Sequence, residues 1–261
     1  MTDKEMTWVE HLGEVRKRLI WIILGFVASM VLGLFLARPV IEHLKNDPAA
    51  INISWHVFGI SDALRIYMQV SFTVALLFTL PLILYHAWAF VSPGLLMTER
   101  RAIGLYIPFA FLLFLLGIGF GYYGLFPMII KFMEGFTTAV GAEETFGMTQ
   151  YFQFMFNLIV PIAVIFELPI VILFLTTLRL ITPSFLVKNR KYAIFISIVI
   201  AAMISPPDYV SHILTAIPII LLYEFSILLS KIVYRRQQKR DRLAVEEEEE
   251  EEFATIITDD D

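Results

Sequence analysis

The 261-residue sequence is 58% hydrophobic, has a mean hydropathy of +0.73 and contains no cysteine. This excludes an ordinary soluble domain, a disulfide framework, a thiolate metal site and a thiol nucleophile; apolar runs of about 20 residues describe a polytopic membrane protein instead. The net charge of −5 hides two regions, because ten acids sit in the tail, seven as Glu246 to Glu252 and three as Asp259 to Asp261, and the rest of the chain carries +5.

Residues 1–18 read as an amphipathic helix at the membrane surface. Thr7-Trp8-Val9-Glu10 fits a capping box. Trp8, Leu12, Val15 and Leu19 then form one apolar stripe. Glu14 lies off that stripe and can pair with Lys17 or Arg18, three and four residues on.

Six apolar spans follow: Leu19–Ala37, Ile66–Val91, Ala102–Phe126, Phe154–Leu178, Tyr192–Ser205 and Ile213–Leu229. The first is longer than the apolar core of a signal peptide and is followed by no small-x-small cleavage site. Residues 38–64 and 127–150 read as loops on one side of the membrane. Ser61-Asp62 is a cap signal for the second span, and Pro81 predicts a kink within it. In the third span Gly117, Gly119 and Gly121 predict flexibility or close packing, and only Gly117 and Gly121 share a helix face.

Between the second and third spans lies the polar hinge from Trp88 to Arg101. Phe90 lies within it and Pro93-Gly94 bends it. Thr98 suits a helix cap, and Glu99 falls in the first helical turn, where the helix dipole favours a carboxylate. After the fourth span, Thr182-Pro183 reads as a cap followed by a first-turn proline. Pro206-Pro207 ends the fifth span and Asp208 is placed to cap the sixth. The last two spans are short, at about 21 and 26 Å against a hydrocarbon core of about 30 Å. Residues 233–261 form a basic flank and then an acidic tail, expected to be disordered through like-charge repulsion.

With the N-terminus in the cytoplasm, sixteen Lys and Arg lie inside and four outside, which satisfies the positive-inside rule. The expected architecture is therefore all-α, with six spans across residues 19–232 and both termini cytoplasmic.

No hydrolytic, nucleotide-binding or metal-ligand motif is present, and nothing points to an enzyme, a cofactor or a nucleic-acid partner. Glu167 is the sharpest single residue, thirteen positions after Phe154 and eleven before Leu178. A charged group at mid-membrane costs roughly 2.5–3.5 kcal/mol on insertion scales, so it seldom faces lipid. It is neutral and hydrogen-bonded within the bundle, or lines a hydrated cavity, or receives a partner's polar group. Pro169 frees the carbonyl of Ile165 beside it.

Several stretches together resemble one family. His11-Leu12-x-Glu14-x-Arg16-x-Arg18-Leu19 is similar to the N-terminal signature of TatC, the multispanning subunit of the twin-arginine protein translocase. Pro81-x-x-x-Tyr85-x-x-Trp88-x-Phe90-x-x-Pro93-Gly94-Leu95 with Glu99-Arg100-Arg101 resembles its first cytoplasmic loop. Phe166-Glu167-Leu168-Pro169 resembles its intramembrane Glu motif, and Ser205-Pro206-Pro207-Asp208, Ile217-Pro218 and Tyr223-Glu224 its last hairpin. Gly13 departs from the bulkier or acidic residue more usual there. The resemblance covers residues 7–232 and leaves out the tail.

The resemblance implies a Sec-independent translocase subunit of the cell membrane that recognises twin-arginine signal peptides of folded cargo. It implies assembly with single-span partners of the TatA/TatB type, self-association, and drive from the proton-motive force. Glu14 and Glu99 would meet the two arginines, with Arg16 and Arg101 as polar neighbours, and Glu167 would face a partner helix. The other reading of the residues is a proton- or ion-coupled transporter of a small solute with Glu167 as its ion site.

Overall fold

The computed structural model describes residues 8–47, 55–91, 104, 106–139, 141 and 147–259. Thr7, Pro93, Thr98, Glu99 and Arg101 lie outside them. Among the described residues the fold is all-helical, with α1 (Trp8–Lys45), α2 (Asp62–Val91), α3 (Tyr106–Phe120), a π-helical turn (Gly121–Leu125), α4 (Phe126–Ala139), α5 (Met148–Ile165), α6 (Leu168–Thr177), α7 (Pro183–Lys188), α8 (Arg190–Ile204) and α9 (Tyr209–Asp259). Among the described residues, five stretches are long and apolar enough to cross a membrane: Gly13–Lys45, Asp62–Ala87, Tyr106–Ala139, Met148–Thr177 and Tyr209–Leu243. The chain is a membrane protein. α8, at 15 residues, is shorter than these five.

Several elements outrun their expected limits. α1 is unbroken from Trp8 to Lys45, so the surface helix and the first span are one rod, and Pro39 does not end it. The expected loop after Phe126 begins instead as α4, which continues to Ala139. The last span is not short. The sequence places its end at the first charges, Lys231 onward, but Lys, Arg, Gln and Glu are good helix formers and α9 runs through them to Asp259. The glutamate run is helical too, where repulsion predicts a coil.

The helices alternate in direction, so two ends of the bundle can be told apart. At one end Arg18 meets Ala89, Tyr106 meets Thr177, and Gln237 donates to the Thr177 carbonyl at 2.9 Å. We call this the first end. At the opposite end, Trp55 stacks on Phe152 with ring centroids 5.6 Å apart, and the Met148 amide donates to the His56 carbonyl at 2.8 Å. There the segment before α2 closes over the start of α5.

The main core lies between α2, the π turn, α4 and α5, around Val70, Ile129, Phe152, Met155 and Leu158, with α8 and α9 contributing Ala201 and Ile219. α1 packs chiefly along α2 and leaves Trp21, Leu24, Val27, Val31 and Phe35 exposed, as a lipid-facing helix requires. A side chain at Gly33 would come within 2.6 Å of the Ser71 carbonyl oxygen, so glycine sets this close approach. In α3 the face of Gly117 and Gly121 does the same against α5. A Cβ on Gly117 would meet the Ala163 Cα at 2.7 Å, one on Gly121 would meet Ile159 at 3.3 Å, and one on Gly119 would meet nothing.

Of the cap signals on described residues, Thr182 and Asp208 act as read and Asp62 does not. The Thr182 hydroxyl accepts from the Phe185 amide at 3.3 Å, and Asp208 accepts from the Ser211 amide at 2.6 Å. Asp62 instead reaches backward, accepting from the Phe58 and Gly59 amides at 3.2 and 2.8 Å. It fixes the turn before α2 and leaves the amides inside the helix to other partners.

Candidate functional site

Two carboxylates define two different settings. Glu14 lies near the start of α1, at the first end of the bundle. Its side chain is 24% exposed and pairs with Arg18, one helical turn on, at 21% exposure. Both bonds from the guanidinium go to one oxygen, Oε1. No bond from a described residue reaches Oε2. Arg18 also donates to the carbonyl of Ala89 at 3.0 Å.

Ala89 is in the last turn of α2, where carbonyls lack partners within the helix and a cation is favoured by the helix dipole. The clamp thus joins three things: the Glu14 carboxylate, a C-terminal helix carbonyl, and the point where α2 hands over to residues 92–103. Phe90, half-buried, is the next residue along. Arg16 sits on the exposed side of α1. Pro93, Glu99 and Arg101 fall outside the described residues. Sequence reading named Lys17 or Arg18 as the partner of Glu14, and the structure selects Arg18. It missed the Ala89 carbonyl, because a backbone acceptor leaves no trace in residue identity.

Glu167 occupies the other setting. The fourth apolar stretch is broken at Phe166-Glu167, between α5 and α6. Pro169, in the first turn of α6, has no amide hydrogen to give the Ile165 carbonyl. The chain crosses the gap with a tighter bond from the Glu167 amide to the Val164 carbonyl at 3.1 Å, and α6 resumes with Val171 donating to the Glu167 carbonyl at 3.0 Å. The Glu167 side chain is 6% exposed, and neither carboxylate oxygen has a hydrogen-bond partner among the described residues. Gly117 lets α3 close onto this break, with the Phe120 and Phe166 rings 5.5 Å apart. A neutral carboxyl group here offers one donor and further acceptor capacity to whatever polar group approaches.

Glu224, the acid within the span Ile213–Leu229, is accounted for locally. Glu224 on α9 pairs with Arg190 at the start of α8 at 2.8 Å. Next to it, the Tyr223 hydroxyl donates to the Leu186 carbonyl at 2.9 Å, fixing α7 against α9. Asp208 belongs to the α8–α9 corner at the opposite end, where the Ser205 hydroxyl meets His212 Nδ1 at 2.7 Å. The structure therefore brings Glu14 to the edge of the polar hinge, and places Glu167 and Asp208 at two separate sites.

A multispanning helical bundle with a carboxylate clamp at one end and a buried carboxyl at a broken helix is a membrane machine with no hydrolytic constellation among its motifs. The family described as Sec-independent protein translocase protein (TatC) matches residues 10–218. The chain is 44% identical over 243 residues to the Sec-independent protein translocase protein TatC of Halalkalibacterium halodurans, covering 93% of this chain and 96% of that one. It is 42% identical over 239 residues to TatCy of Bacillus subtilis, covering 92% and 94%. A crystal structure of the twin-arginine translocase receptor TatC superposes with a TM-score of 0.75 at 35% identity, covering 85% of this chain and 99% of that one.

The chain belongs to the TatC family. It is a subunit of the twin-arginine protein translocase and not an enzyme, and it works with other components of that system. The small-solute transporter reading gives way to protein transport.

Proposed function

We propose that this subunit receives twin-arginine signal peptides of folded cargo at the first end of the bundle, on the cytoplasmic side. Glu14 and Glu99 take the two arginine side chains, with Arg16 and Arg101 as polar neighbours. The observation that carries this is the one-sided use of Glu14. Arg18 engages Oε1 alone and no described residue bonds Oε2, which suits a second guanidinium, and the clamp holds the carboxylate where residues 92–103 begin. Guanidinium–carboxylate bonds are charge-assisted and often bidentate, and lysine copies them poorly.

The proposal includes six crossings with both termini cytoplasmic, α8 being the short crossing. It rests on the sixteen-to-four distribution of Lys and Arg. Glu167 is the intramembrane contact for a single-span partner helix of the TatA/TatB type, because a buried carboxyl without a partner among the described residues suits an incoming polar group. Transport is driven by the proton-motive force, and copies of the chain associate with one another.

The test is binding of a labelled twin-arginine peptide to the wild type, Glu14→Ala, Glu99→Ala and the double variant, with a twin-lysine peptide as control. Selective binding that falls in each single variant supports the reading. Equal binding of the two peptides, or unchanged affinity in all variants, sinks it.

A further inference from the structure

Where α9 leaves the apolar part of the bundle, it forms a cavity of about 490 Å³ with α7. Its polar lining comprises Ser184, Lys188, Lys231, Tyr234, Arg235 and Gln238. Lys188, Lys231 and Arg235 form no ion pair among the described residues. Two acids of the same helix are engaged elsewhere, Asp241 by Arg179 and Glu224 by Arg190, each at 2.8 Å. Three cations thus line one hollow with no counter-charge among the described residues.

The face of α9 that carries two of these cations continues in the apolar direction. Leu228, Lys231, Ile232 and Arg235 are spaced as neighbours along one helix stripe. Leu228 and Ile232 are 56% and 50% exposed. Cations above and bare aliphatic side chains below are the complement of a molecule with an anionic head and hydrocarbon chains. We propose that this cavity binds the phosphate headgroup of an anionic phospholipid, with its acyl chains lying along Leu228 and Ile232. The leaflet is the one at the first end of the bundle, cytoplasmic if the orientation above holds, and the lipid site itself does not depend on that orientation.

The chain's own acidic tail is a poorer occupant. α9 is one continuous helix, so Glu246 stands about 16 Å beyond Arg235 along its axis and cannot fold back without breaking it. Free phosphate would satisfy the cations but would make no use of the aliphatic stripe.

The experiment measures binding of fluorescent phosphatidylglycerol and phosphatidylcholine to the full-length protein in detergent. Phosphatidylglycerol should bind at least about tenfold tighter, and each of Lys188→Gln, Lys231→Gln and Arg235→Gln should weaken it by about fivefold. Arg236→Gln/Lys239→Gln, which removes two cations of α9 outside the cavity, should leave the preference intact. Inorganic phosphate and glycerol 3-phosphate should not displace the lipid. Equal binding of the two lipids overturns the site, and so does an equal loss in the off-cavity variant. Full displacement by either soluble phosphate makes it a free-phosphate site and overturns the lipid assignment. Each single variant is read separately and checked for an unchanged elution volume, so a folding defect in one of them does not decide the outcome.

Discussion

Glu14 and Glu167 are both carboxylates partly or wholly withdrawn from water, yet they are held in opposite ways. Glu14 is at a helix end, shares an oxygen with Arg18, and is fixed to α2 through the Ala89 carbonyl. Glu167 is at a helix break, is 6% exposed, and has no partner among the described residues. A carboxylate satisfied at a surface contributes to holding two helices together. A buried one without a partner contributes nothing to its own fold, since burying a polar group unbonded costs free energy. The described fold therefore explains why Glu14 is useful to this chain alone, and gives Glu167 no such use among the described residues.

The comparison breaks most sharply at Glu167. Glu167→Ala should reduce export of a folded reporter by more than about tenfold, while the thermal midpoint of the purified protein holds or rises, because an unsatisfied buried group is removed. Glu167→Gln should be milder, since an amide still donates and accepts. A large drop in thermal midpoint for Glu167→Ala would show that the carboxyl is bonded inside the bundle. Next comes Glu14→Ala, where loss of one semi-buried charged bond worth about 1.5–3 kcal/mol should weaken twin-arginine peptide binding by one to two orders of magnitude. If the site is effectively water-exposed, the loss shrinks to a few-fold.

Gly117→Val tests the setting of Glu167 without touching it. Its Cβ would enter space held by the Ala163 Cα, so overpacking should destabilise by about 1–3 kcal/mol, measured as a lower unfolding midpoint in detergent. Gly119→Val, with nothing near its Cβ, is the matched control. The smallest effect belongs to Asp241→Asn. Its pair with Arg179 is about half exposed on both sides, and removing it should cost no more than about 1 kcal/mol.

The sequence made the helices, their polarity and their caps legible, because those depend on local residue type. Thr182 and Asp208 cap as read, and the face of Gly117 and Gly121 is a close-packed one, made against α5 within the same chain. Helix ends were less legible. Pro39 and the cations after Leu229 look like stops, but a helix ends where its packing and capping end, and neither feature removes enough bonds to end α1 or α9. For the site, the importance of Glu167 could be read from its position alone, because a carboxyl amid apolar residues is conspicuous. Its lack of a partner among the described residues could not, since that depends on what other helices bring near it. The Arg18–Ala89 bond joins residues 71 positions apart, and nothing local foretells it.

The π turn at Gly121–Leu125 sets the phase of the helix that contains it. Leu113, Gly117, Gly121, Leu125 and Ile129 are all buried, at a constant spacing of four. On an uninterrupted α-helix that spacing would wind about 160° around the axis from first to last, turning Ile129 away from the core that Leu113 faces. One residue accommodated in a wider turn takes back about 100° of that drift. The two halves of the helix can then address one partner surface, α5, from Leu113 to Ile129. The length of this segment is accordingly quantised: removing a single residue from the π turn would restore ideal helical geometry and, by doing so, swing everything beyond it out of register.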